Sequence, residues 1–143
     1  MVNSMGTITG SPSVAQVGNA TVIAATGSDN SLQFYWQPIG SQQWNLEQVT
    51  GPLTIFSPPS VAQVGDSTVI AAVSPVEGLL FWWQPTGSQQ WNLEQVTGPG
   101  TTLSASVAQV GNSTVIAAAG SDGSLQFYWQ PIGSQQWNLE QVA

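Results

Sequence analysis

No lysine, arginine, histidine or cysteine occurs anywhere in the 143 residues. Each absence removes a kind of chemistry. Without Lys or Arg, nothing can displace counterions from phosphates, which excludes nucleic-acid binding. Seven acidic residues give a formal charge of −7, so an anionic membrane surface would repel the chain. Without Cys or His there is no disulfide, no thiolate nucleophile and no Cys/His zinc site. Compartment therefore cannot be read from cysteine usage. No stretch approaches the roughly 18 apolar residues of a membrane span, so no membrane insertion is expected. The first ten residues, MVNSMGTITG, have neither a basic n-region nor an apolar h-region, so no signal peptide is visible. A cytosolic protein, a mature form and an excised piece all fit that pattern, and localisation stays open.

Charged residues make up 5% of the chain, against roughly 25% in an ordinary soluble domain. Solubility must rest on Gln, Asn, Ser, Thr and the net negative charge. Hydrophobic residues nevertheless reach 41%, with seven Trp. That composition builds a core and is not that of a disordered acidic tail.

What the chain does have is repetition. The run SVAQVGNATVIAATGSDNSLQFYWQPIGSQQWNLEQV starts at Ser13 and returns at Ser60 and Ser106, with offsets of 47 and 46 residues. Over 37 aligned positions, the first and third copies differ only at Ala20/Ser113, Thr26/Ala119 and Asn30/Gly123. A period of this length means one supersecondary unit, stacked.

Within a unit, turn signals separate short β-branched or aromatic runs. Ser13–Val17 reads as a first strand closed by Gly18-Asn19. Thr21–Ala25 reads as a second, closed by Gly27-Ser28-Asp29-Asn30. Leu32–Gln37 is a third, stopped by Pro38 and Gly40. Trp44–Val49 is a fourth. No window carries helical caps or a 3.6-residue period. Four short antiparallel strands in about 46 residues match one blade of a β-propeller. The fold class expected is all-β, with three propeller blades per chain; a β-prism or β-solenoid is the alternative. The boundaries expected are residues 1–12 as a linker-like segment, 13–59 as blade 1 with its linker, 60–105 as blade 2 with its linker, and 106–143 as blade 3.

Three blades do not close a ring, and propellers commonly have four to eight. An open array would leave two apolar end faces in water, which is costly and sticky. The expectation is a homodimer completing one six-bladed ring, with a homotrimer of nine blades as the alternative.

Catalysis is poorly supplied, since no His, Cys or Lys can serve as base or nucleophile. Glu47, Glu94 and Glu140 recur at one position of every unit. A catalytic carboxylate pair needs two different environments, and a repeat supplies one environment several times. The chain is read as no enzyme, with no cofactor. The Gly-Ser-Asp turns offer oxygen atoms that Ca2+ could accept, but Asp and Asn in such turns more often bond their own backbone. No metal site is expected.

Carbohydrate binding suits the residue types present. A sugar offers apolar C–H faces and many hydroxyls, which a flat aromatic ring and amide or carboxylate groups can answer. Candidates are Trp36, Trp83 and Trp129; Trp44, Trp91 and Trp137; Glu47, Glu94 and Glu140; and Gln42, Gln89 and Gln135, with Gln43, Gln48 and their copies nearby. A Trp repeated in every unit also packs cores. For Trp36 and its copies packing is the first reading, and for Trp44 and its copies the two readings stand level.

The second copy departs from the first at 11 of the 37 positions, eight of them between Thr26 and Tyr35, which align with Val73 and Trp82. Segment 73–82 is either a modified ligand or partner site, or drift after duplication.

The runs Gly-Ser-Asp-Asn-Ser-Leu-Gln-Phe-Tyr-Trp-Gln and Gly-Ser-Gln-Gln-Trp-Asn-Leu-Glu resemble the repeat of bacterial β-propeller lectins of the Photorhabdus-lectin type. Asp29, Asn30, Leu32, Trp36, Gly40, Ser41, Trp44 and Glu47 carry the resemblance, as do most of their copies in the third unit. The second unit keeps Leu79, Trp83, Trp91 and Glu94 without the Asp-Asn turn. The likeness covers roughly the 25 C-terminal residues of each unit. It implies a propeller that binds fucose-like or O-methylated sugars in pockets between blades. The chain departs from that family in lacking its His-Lys pair in the aromatic strand and a second Trp in the last strand. The function expected is a multivalent lectin. The alternative is a structural or scaffolding propeller, a fragment or an amplified or engineered repeat that self-assembles without a ligand; a protein-binding platform is a third option.

Overall fold

A computed structural model describes residues 7–143. Among them, twelve strands form three separate four-stranded antiparallel sheets, each a simple meander. The first blade is β1 (Ile8–Val17), β2 (Ala20–Gly27), β3 (Leu32–Pro38) and β4 (Asn45–Gln48). The second is β5 (Ser60–Val64), β6 (Ser67–Ser74), β7 (Gly78–Pro85) and β8 (Asn92–Gln95). The third is β9 (Thr102–Val110), β10 (Ser113–Gly120), β11 (Leu125–Pro131) and β12 (Asn138–Gln141). The first strands lie side by side, β1 against β5 and β5 against β9.

Turn chemistry sets the strand pairs. Val17 pairs with Ala20 across Gly18-Asn19. Gly18 takes φ +56°, as the first central residue of a type II′ hairpin turn must. The same two-residue turn recurs at Gly65 and Gly111. The β3–β4 connections break where Pro38, Pro85 and Pro131 end the ladder.

Period-2 alternation distributes the core. In β6, Ile70 and Ala72 face the first blade, while Val69, Ala71 and Val73 face the third. In β7, Leu80 and Trp82 face the first blade, while Leu79 and Phe81 face the third. The middle sheet is thus covered on both sides, so its second and third strands read as nearly continuous apolar runs. Ala24, Ala71 and Ala72 are completely buried. Their small side chains let neighbouring sheets approach.

The first strand is longer than the sequence punctuation indicates. Pairing continues back from Ser13 to Ile8↔Gly27 and Thr9↔Thr26, through a register shift between Thr9 and Ser13. Gly10, at φ +75°, allows the irregularity. Residues 8–12 are therefore strand and not linker; residues 1–6 of that segment lie outside the described residues. β9 likewise starts at Thr102, inside the stretch read as linker. In the middle blade Pro58-Pro59 stands at this place, and β5 begins only at Ser60. Two prolines in a row cannot donate to a ladder.

The Asp turns close on themselves. Asp29 Oδ1 accepts from the Ser31 amide at 3.1 Å and from Ser31 Oγ at 2.6 Å, while Asn30 sits at φ +65°. The Ser31 hydroxyl and amide hold the Asp29 carboxyl below its ordinary value. Asp122 is lowered in the same way by Ser124. These carboxylates are spent on an Asx-type turn. Among the described residues no cluster of three acidic ligands could hold a metal ion.

Candidate functional site: the clefts between blades

Glu47 lies on β4 opposite Phe34 of β3, at the face that the second blade covers. Its Oε1 accepts the indole N–H of Trp91 at 3.0 Å and the side-chain amide of Gln84 at 3.2 Å. Trp91 also packs edge-on against Phe34, with ring centroids 5.1 Å apart. The next boundary repeats this arrangement. Glu94 Oε1 accepts from Trp137 Nε1 and from Gln130 Nε2, both at 3.0 Å, and Trp137 meets Phe81 edge-on at 5.1 Å. One carboxylate oxygen of the first blade, and one of the second, thus clamps the blade that follows. The bonds are charge-assisted, and no cation takes part.

Beside each clamp a cleft opens. The first holds about 400 Å3 between the Val17–Ala20 hairpin, Trp36 and Glu47 of one blade and Gln84 with the Thr86–Gln89 turn of the next. The second holds about 260 Å3, with Trp83, Glu94, Gln130 and Ile132 in its walls. In both, a half-buried indole and a carboxylate share the same cavity. Among the described residues, Oε2 of Glu47 and of Glu94 has no hydrogen-bond partner. It is an acceptor held in place by the two bonds made by its sister oxygen.

The two clefts differ in side chain at two aligned wall positions, Ala20/Ser67 and Thr86/Ile132. Thr86 occupies the position that Ile132 takes in the second. Ile132 reaches toward Gly65 and fills space that the shorter Thr86 leaves open. Thr86→Ile is expected to shrink the first cleft to the size of the second, which a crystal structure of the variant would read. The Thr86 hydroxyl bond to the Asp66 carbonyl is lost, but the backbone bond at this turn remains, as it does at Ile132. The stability cost should therefore stay near 1 kcal/mol.

The candidate residues divide by boundary. Trp36, Glu47 and Gln89 meet in the first cleft, and Trp83, Glu94 and Gln135 in the second. Trp91 and Trp137 stand behind the cleft walls as clamp donors. Trp44 and Gln42 on the first blade, and Trp129 and Glu140 on the third, line neither cleft. Of the segment that differs most between copies, 73–82, only the unaltered Phe81 lines a cleft. None of its altered residues lines either cleft, and its Leu80 and Trp82 are core. The composition of the repeat did not single out Gln84 and Gln130, though Gln-Pro ends the third strand of every unit.

No protein-family model matches the sequence, and no curated protein matches it. Solved structures do. The BP39L lectin of Burkholderia pseudomallei aligns with a TM-score of 0.73 at 24% identity, over 92% of this chain and 41% of that one. A fungal lectin of Aleuria aurantia, described as a six-bladed β-propeller with a novel fucose recognition mode, aligns with a TM-score of 0.71 at 16% identity, over 90% of this chain and 43% of that one. The fold is that of a β-propeller. AofleA of Arthrobotrys oligospora aligns less closely, with a TM-score of 0.66 at 15% identity, over 90% of this chain and 40% of that one. The chain spans about two fifths of the length of these propellers. At such identities the likeness establishes the fold, while the clefts have to be read from this chain's own residues.

Proposed function

We propose that this propeller is a multivalent carbohydrate-binding protein whose clefts between blades each take one neutral sugar residue. The observation that carries the reading is the repeated cleft itself. At two boundaries an indole, Trp36 or Trp83, lines the same cleft as a carboxylate whose Oε1 is held by two hydrogen bonds and whose Oε2 has no partner among the described residues. An apolar wall with a few placed polar groups suits a ligand with one C–H face and several hydroxyls. The solved relatives are lectins, one of them described by its fucose recognition, which favours the same class of ligand. The chain has no His, Cys or Lys to activate a nucleophile, and the cleft carboxylates Glu47 and Glu94 sit in equivalent settings, so binding without turnover is the natural use.

Charge selects among sugars. Each cleft contains a carboxylate, and the chain has no cationic side chain. A sialic or uronic acid would bring a second anion into the cleft with nothing to neutralise it. We further propose that the clefts are arranged around a ring shared by two copies, so that weak single sites act together on a glycan-coated surface. Isothermal titration with fucose, galactose and glucuronic acid tests the reading, with Trp fluorescence as a second signal. Binding of a neutral sugar, with a change in Trp emission and no response to the acid, is expected. No binding of any sugar by the folded protein, across these and a glycan array, would refute it.

A further inference from the structure

Two faces of the molecule are uncovered, and they are the two halves of a boundary already present twice within it. On the first blade Val14 is 67% exposed, whereas its copies Val61 and Val107 are each 5% exposed. On the third blade Val110 is 62% exposed, against 6% for Val17 and 5% for Val64. Leu125 is 43% exposed, while Leu32 and Leu79 are fully buried. The residues are the same; only the neighbour is missing.

The polar groups tell the same story. Glu140 is exposed. Among the described residues neither its carboxylate, nor the Trp44 indole N–H, nor the Gln37 amide has a side-chain hydrogen-bond partner. Their copies make the Glu47–Trp91–Gln84 and Glu94–Trp137–Gln130 clamps. Two lesser bonds are open as well. The Gly18 amide donates to Gln63 Oε1 at 3.1 Å and the Gly65 amide to Gln109 Oε1 at 2.9 Å. This leaves Gln16 Oε1 and the Gly111 amide as the unused pair, while Gln16 Nε2 donates to the Gly18 carbonyl as its copies do in their own turns. The amides of Val61 and Val107 donate to Ser13 Oγ and Ser60 Oγ; Ser106 and the Val14 amide are left over.

We infer that a second copy of this chain covers both faces, with Glu140 of each protomer accepting from the other protomer's Trp44 and Gln37, and that each boundary closes a cleft neither copy contains alone. The occupant is specified by identity. Val14, Ile23, Ala25 and Tyr35 present the same residues as Val107, Ile116, Ala118 and Tyr128, which already seat on a neighbouring blade. A head-to-tail pairing of this kind closes when its rotation fits. Three blades per chain make half of a ring such as the six-bladed Aleuria lectin. In the composite cleft Ile39 takes the wall position of Ile132, not of Thr86, so it belongs to the smaller class. What that cleft holds rests on the sugar-binding reading; the pairing of the faces does not.

Sedimentation equilibrium and native mass spectrometry of the full chain test the pairing. The expected mass is that of two 15.0 kDa chains. Val14→Glu places a charge at a position already exposed in the single chain. It should give a monomer with an unchanged circular dichroism spectrum. Glu140→Ala should weaken the dimer roughly a hundredfold, because each dimer loses the clamp at two boundaries. Glu77→Ala removes the same charge from an exposed loop and should leave the dimer intact. With sugar present, three sites per chain are expected in the dimer and two in the Val14→Glu monomer. A parent monomer, a parent trimer, or dimers of Val14→Glu and Glu140→Ala as tight as the parent would each overturn the inference. If no protein binds sugar while the masses behave as described, the sugar-binding reading fails and the pairing stands. If the parent is a monomer with two sites, the pairing fails alone.

Discussion

Glu47→Ala is expected to lower stability by about 1–3 kcal/mol and to weaken sugar binding at the first cleft about tenfold or more. Both effects come from one carboxylate. Its Oε1 satisfies the Trp91 indole and the Gln84 amide, so truncation leaves two donors of a half-buried boundary without their acceptor. Glu47 lines the cleft and its Oε2 has no partner among the described residues, so truncation also removes the acceptor proposed for a ligand hydroxyl. Glu47→Gln separates the roles. A Gln side-chain oxygen can still accept from Trp91 and Gln84, so most of the stability should return. The group facing the ligand becomes a neutral amide, so binding should recover only in part. Urea midpoints and sugar titrations of the three proteins read the two effects independently. Since no cation is involved, the stability difference between parent and Glu47→Ala should not shrink as salt is raised, unlike that of an ion pair. Equal stability of Glu47→Ala and parent would mean the clamp contributes nothing.

The clamp also marks how far the sequence could be read. The fold was legible because its information is local. Gly18-Asn19, Pro38-Ile39-Gly40 and the alternation in β2 and β3 fix strands and turns over a few residues, and the repeat multiplies that signal. Two fold boundaries are not legible, at residues 8–12 and at Thr102; both strand extensions run past register shifts, between Thr9 and Ser13 and between Ala119 and Gly120, that the repeat does not announce. The site was legible in its ingredients but not in its assignments. Trp36 and Trp44 carry the same side chain in the same unit. One lines a cleft, while the copies of the other donate an indole proton to a carboxylate 43 or 44 residues earlier. That pairing forms between blades, so no spacing within a unit contains it. The role of Gln84 is not legible within one unit for the same reason, since its partner Glu47 belongs to the preceding repeat. Thr86, aligned with Ile39 and Ile132, is one of the 11 differences between the first two copies. Its consequence appears once Ile132 is seen filling the equivalent wall.

Gly78→Ala is expected to destabilise the middle blade by about 2–5 kcal/mol, the sum of a left-handed backbone cost and an overpacking cost. Gly78 sits at φ +95°, and a Cβ there would lie 2.3 Å from the carbonyl oxygens of both Thr97 and Gly98. Those obstacles are backbone, so they cannot rotate away. Two comparison variants isolate the cause. Gly51→Ala enters open space and should cost little. Gly27→Ala meets the side chains of Asp29 and Ser31, at 2.8 and 2.9 Å, which can shift. Denaturant midpoints should rank the three with Gly51→Ala mildest and Gly78→Ala most severe. Hydrogen exchange should show the Gly78→Ala loss concentrated in β6–β8. This close approach also sets residues 73–82 against the linker that follows. In the first blade Asp29 and Asn30 carbonyls receive the amides of Leu53, Thr54 and Ile55 from the linker that follows. In the second blade the corresponding loop meets a linker that runs against Gly78, and Gln95 ties down the Glu77 carbonyl at 2.7 Å. Each loop is matched to the linker crossing it. The altered segment is therefore fitted to the chain's route between blades, and a milder Gly78→Ala than Gly27→Ala would show that this fit is not what holds it.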